Sequence, residues 1–149
     1  MNVILILMKT INPTTAIAKI TLLVGLPGSG KSSLARKIAN LHSLEGKVAL
    51  IFETDNYFMV DGEYKFDATK LHRYHQKCFS DFLDALNDRN VDVVIVANTF
   101  TLKWEYVNYA DAAKDSGYEV TTLIANGNYK NVHNVPDDVV QKMKNRFEY

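Results

Sequence analysis

A chain of 149 residues, 47% of them hydrophobic, sets one domain with a buried core as the expectation. Its single cysteine, Cys78, excludes an internal disulfide and suits a reducing, cytoplasmic compartment. Seventeen basic residues balance seventeen acidic ones. That argues against an extended basic nucleic-acid groove, though not against a site gripping only a strand end.

Residues 3–8, Val-Ile-Leu-Ile-Leu-Met, are apolar but far short of the roughly 20 needed to span a bilayer. No basic segment precedes them and no small-residue cleavage site is evident, so neither a signal peptide nor a membrane partner is expected. Asn12-Pro13-Thr14-Thr15 reads as a turn. Residues 1–18 are therefore expected to form an N-terminal arm or an added edge strand, and 19–149 the main domain.

The run 20–24, Ile-Thr-Leu-Leu-Val, leads into Gly25-Leu26-Pro27-Gly28-Ser29-Gly30-Lys31-Ser32. This fits the phosphate-binding P-loop, G-x-x-x-x-G-K-[ST]. Leu34, Ile38 and Leu41 follow at near-helical spacing, so the motif sits at a strand-to-helix turn. Glycines let the backbone N–H groups converge on phosphate oxygens, and the helix N-terminus adds its dipole. Lys31 is placed for the β- and γ-phosphates, and Ser32 for Mg²⁺. With Ser33 next in line, 25–33 form the expected ATP contact.

After a turn at Glu45-Gly46, the apolar run 48–52 reads as a strand buried on both faces. It ends in Glu53-Thr54-Asp55-Asn56-Tyr57-Phe58. Asp61-Gly62 marks a turn. Asp67 is an expected N-cap for a helix over 68–88, with Leu71, Tyr74, Cys78, Phe82 and Leu86 on one face. The run 91–96 is the next buried strand and delivers Ala97-Asn98-Thr99. A helix is expected over 102–116, carrying Trp104, Val107, Ala110 and Ala113 and closed by Gly117. A fourth strand covers 118–125. A polar connection, 126–135, precedes a last helix from Pro136 and Asp137 to Phe147. Alternating strands and helices predict a parallel sheet with helices on both faces and ligand groups at the strands' C-terminal ends.

Among the candidates, Asp55 lies just past a strand, where a carboxylate can take the proton of an attacking hydroxyl. Glu53 and Asp92 read as surface charges, His72 and His75 as structural, and Cys78 as a core filler. No His, Cys and acid cluster has zinc-ligand spacing. Lys130 and His133 leave two readings open, a lid over phosphates or a solvated loop. Lys142, Lys144 and Arg146 form the polar face of the last helix, with Arg146 a candidate nucleotide contact.

Four blocks, GLPGSGKSSLAR, ETDNYF with DGEYKFD and HRYHQKC, VIVANTF with WEYVNYADAAKDSGYEV, and KNVHNVPDDVVQKMKNRFE, resemble small P-loop kinases of the polynucleotide kinase and NEDD4-binding-protein-2-like family. The resemblance covers about 19–148. It implies a three-layer α/β/α, adenylate-kinase-like P-loop fold with a short lid. It implies ATP-dependent phosphoryl transfer with Mg²⁺, to the 5′-OH of a nucleic-acid end. Asp55 would be the base, Lys31 and Lys130 would stabilise charge, and Ser32 would hold the metal. Three departures stand out. Ala97 replaces the strand-end acid of the family's Asp-Asn-Thr. The lid lacks a helical segment and its arginine. Phe58 replaces an arginine three residues after the base, which grips the acceptor phosphate. They leave open a small-molecule kinase or a catalytically weakened nucleotide-binding module acting through a partner.

Overall fold

The computed structural model describes residues 19–130 and 133–148. The expected N-terminal arm lies outside the described residues. Among the described residues six strands and four α-helices follow in order: β1 (Lys19–Val24), α1 (Lys31–Leu44), β2 (Ala49–Phe52), β3 (Met59–Val60), β4 (Glu63–Tyr64), α2 (Leu71–Asn87), β5 (Val93–Ala97), α3 (Trp104–Asp115), β6 (Glu119–Ile124) and α4 (Asp137–Asn145).

The main sheet is parallel, in the order β2-β5-β1-β6. Side chains alternate between its two faces, so each strand feeds two cores. On one face Leu23, Val93, Ile95 and Ala97 pack against Ala35, Leu34 and Ile38 of α1. On the other, Ile20, Leu22, Val24, Val94 and Val96 meet Phe82, Ala85 and Leu86 of α2 and Tyr109, Ala110 and Ala113 of α3. Edge-on contacts of Tyr109 with Phe79 and Phe100 add geometric definition to that second core. Helix, sheet and helix give the expected three layers.

Continuous apolar runs mark all the main strands but do not say which lie at the edge. β5 is buried throughout. β2, expected to be buried on both faces, is instead an edge strand with Leu50 exposed. β6 is the opposite edge and is mostly exposed. Leu41 of α1 and Leu71 of α2 also turn out exposed, as do Trp104 and Val107 of α3. Each follows the helical spacing but belongs to neither core.

Two short features were not anticipated. Residues Thr54–Phe58 form a 3-10 turn, and β3 and β4 form an antiparallel hairpin. Asp61 and Gly62 have φ of 51° and 80°, the positive pair a tight two-residue hairpin turn needs. The expected helix over 68–88 divides. Asp67 caps a 3-10 turn, Ala68–Lys70, by accepting a bond from the Thr69 N–H at 3.0 Å, and α2 begins at Leu71. Among the described residues no helix is long and apolar enough to cross a membrane.

Candidate functional site

The site lies where β1, β2 and β5 end. Gly25 is buried where a Cβ would come within 2.5 Å of both the Ala125 carbonyl oxygen and Ser29 Oγ, so no side chain fits there. Gly30 is the N-cap of α1 at φ 90° and offers no side-chain cap. The amides of the first turn therefore remain free of a capping side chain, as an anion site requires.

The loop is braced from outside. The Gly25 N–H donates to the Thr99 carbonyl at 3.3 Å, anchoring the loop to the end of β5. The N–H groups of Gly127 and Tyr129 donate to the carbonyls of Ser29 and Gly28 at 3.1 and 2.8 Å. Ser29 Oγ is buried without a hydrogen-bond partner. A buried hydroxyl left this way is costly unless a ligand completes it. Lys31 Nζ folds back to donate to the Leu26 carbonyl at 2.9 Å. Burial lowers its pKa to about 8, against the charges of Asp55 and Glu53, which raise it.

Glu53 corrects the expectation of a surface charge: it is 8% exposed. Its backbone remains extended, at φ −134° and ψ 125°, so the alternation of β2 carries past Phe52. Ile51 faces α1, and Glu53, two residues on, faces it too. Burial pushes the Glu53 carboxyl above the usual carboxylate range. The Ser32 hydroxyl beside it and the Arg36 charge pull it back. Glu53 Oε1 is buried and has no hydrogen-bond partner.

Asp55 is half-exposed on the 3-10 turn beyond β2. The Tyr64 hydroxyl donates to Asp55 Oδ1 at 3.1 Å, and His133 Nε2 lies 3.5 Å from Oδ2. The Tyr64 and His133 rings pack with centroids 4.2 Å apart. One carboxylate thus joins the 3-10 turn, the hairpin and the late connection. Burial, and then the Asp55 charge, push the Tyr64 hydroxyl pKa well up, so it stays a proton donor. Asn98 fixes the turn from below, its Oδ1 accepting the Thr54 N–H at 2.8 Å. His75 Nδ1 lies 3.1 Å from Thr54 Oγ1, a structural placement.

Phe58 is 1% exposed and packs on Tyr64, Phe66 and Tyr74, with centroids 4.7–6.0 Å away. It is an apolar anchor for the hairpin. Lys130 is exposed, next to the braced Tyr129, and makes no hydrogen bond or ion pair with another described residue. Arg146 is exposed at the C-cap of α4, and no described contact joins it to the P-loop. Asp92 is exposed as expected, and its Oδ2 also accepts the Val48 N–H at 2.8 Å. Among the described residues no group of three His, Cys, Asp or Glu side chains is placed to hold a metal.

Sequence reasoning missed Glu53 and Tyr64. The period-2 alternation from Ile51 was a usable sign for Glu53. Asp61-Gly62 announced the turn, but not that it returns Tyr64 to Asp55.

A P-loop between a buried strand and its helix, with a carboxylate whose charge reaches Lys31, defines a P-loop kinase-type domain. The family profile described as "AAA domain" matches residues 20–126. The chain belongs to this family. It is 28% identical over 138 residues to human NEDD4-binding protein 2, covering 87% of this chain but only 8% of that protein. Among solved structures, a chain of the Pnkp1/Rnl/Hen1 RNA repair complex superposes with a TM-score of 0.64 at 17% identity, covering 91% of this chain and 46% of the other. The Mycobacterium tuberculosis APS kinase CysC, in complex with AMPPNP and APS, gives 0.56 at 19% identity, covering 86% and 69%. These likenesses establish the fold.

Proposed function

We propose that this chain binds ATP with Mg²⁺ and transfers the γ-phosphoryl group to a hydroxyl, most readily the 5′-OH of a nucleic-acid end. The observation that carries this reading is Asp55, held by Tyr64 and His133 just past the end of β2 while its charge acts on the Lys31 ammonium.

The chain's own groups divide the work. The loop amides of Gly28 and of Gly30 to Ser32, with the buried Ser29 hydroxyl, take the phosphates, and Lys31 swings from the Leu26 carbonyl to their charge. Asp55 accepts the acceptor's proton as that oxygen bonds to the γ-phosphorus and the bond to the bridging oxygen breaks, releasing ADP. Lys130, on a flexible stem beside the loop-bound Tyr129, adds positive charge over the transferring group. Ser32 would hold Mg²⁺, and the buried, unpartnered oxygen of the neighbouring Glu53 fits a cation. Bound with the nucleotide, the metal would supply positive charge to offset that of the phosphates.

A small-molecule hydroxyl is the second reading, and Phe58 favours it. The residue three past the base is locked into an apolar cluster and offers an acceptor phosphate nothing. A labelled-ATP assay against 5′-OH oligonucleotides and a nucleoside panel separates the two. Label on oligonucleotide ends is the expected result. Label only on nucleosides transfers the reading to small molecules, and label on neither overturns both.

A further inference from the structure

Mg²⁺ held with a nucleotide takes one or two protein carboxylates, substrate phosphates and waters. In P-loop proteins the P-loop hydroxyl and a strand-end acid share that task. Here the strand next to the P-loop strand ends in Ala97, which brings no carboxylate. The register between β2 and β5 pairs Phe52 with Val96. One residue further, with the backbone still extended, Glu53 stands beside Ala97. Neighbours in parallel strands project to the same face, and Ala97 packs in the core under α1. Ala97 brings only a methyl group to that face, and the Glu53 carboxylate stands on it beside Ser32.

We infer that Glu53 is the carboxylate of the magnesium site, supplying from the end of β2 what Ala97 does not supply from the end of β5. Two independent observations meet here. One is the register that puts Glu53 next to Ala97, on the face of α1. The other is a carboxylate oxygen, on a side chain more than nine-tenths buried, that has no protein partner. A purely structural Glu would be expected to complete its hydrogen bonds in the fold, because a buried unpartnered acceptor is costly. Ala97 is then part of a relocated site rather than a sign of lost activity. This inference rests on the reading that the chain binds ATP with Mg²⁺.

The test measures equilibrium affinity for ATP with Mg²⁺ and with EDTA, and counts Mn²⁺ bound in the presence of ATP by electron paramagnetic resonance. It compares the unaltered chain, Glu53→Gln and the double variant Glu53→Gln/Ala97→Asp. In the unaltered chain Mg²⁺ should strengthen ATP binding. In Glu53→Gln, metal affinity should fall by about 10–100-fold while ATP affinity in EDTA is unchanged. Restoring an acid on the neighbouring strand in the double variant should recover the metal. Glu53→Gln is nearly isosteric and removes a buried charge, so the fold should hold, and a thermal melt checks this. Full metal affinity in Glu53→Gln overturns the inference and leaves the reading of function intact. Loss of ATP affinity in EDTA also overturns it, because the carboxylate would then support the loop itself. If the unaltered chain binds ATP equally with and without Mg²⁺, the functional reading itself fails at its metal.

Discussion

The two halves of the site are built differently. The phosphate half is a contiguous stretch, 25–33, running from a buried strand into its helix and tied by backbone hydrogen bonds to Thr99 just past β5 and to Gly127 and Tyr129. The proposed acceptor half joins segments far apart in sequence: Asp55 on a 3-10 turn, Tyr64 on a hairpin and His133 on the late connection. Its carboxylate is half-exposed, and its anchor is an aromatic cluster under the hairpin. A preformed half suits a ligand common to many enzymes. A half assembled from loops suits an acceptor that differs between relatives.

Cutting the anchor breaks this comparison most sharply. Phe58→Ala removes a fully buried ring from contact with Tyr64, Phe66 and Tyr74. Denaturant unfolding should show a loss of about 3–5 kcal/mol, a large share of a typical domain's stability. Folded molecules of this variant should bind ATP as before. A parallel loss of ATP affinity would show that the two halves are one unit.

A smaller effect sharpens the phosphate half. With its pKa lowered to about 8, the Lys31 ammonium is about half deprotonated at pH 8 in the free protein. Bound phosphates favour the charged form and return the pKa toward its ordinary value. Binding at pH 8 should therefore take up about half a proton. Affinity should fall as pH rises through 8. Calorimetry in buffers of different ionisation enthalpy reads this directly, and no uptake at pH 8 would place Lys31 away from the phosphates.

The same contrast explains what the sequence revealed. The P-loop is a local motif whose spacing carries its own geometry, so strand, loop and helix were legible together. The four main strands and the helices followed from apolar periodicity. Strand order did not: the run 48–52 looks like the run 91–96, yet one is an edge and the other central. Pairing is decided by chain crossovers that periodicity does not record. Glu53 looked like a surface charge because its environment comes from α1 and β5, both distant in sequence. Tyr64 was hidden for the same reason: the Asp61-Gly62 turn was readable, while its docking depends on Phe58 and α2.

The central claim is that Asp55 serves the chemistry and not the binding of ATP. It is tested most directly by measuring, on one preparation of Asp55→Asn, the ATP affinity at equilibrium and the single-turnover rate of γ-phosphoryl transfer to the acceptor found above. The account predicts unchanged ATP affinity and a rate lowered by about 10²–10⁴-fold. Transfer at the full rate would contradict it.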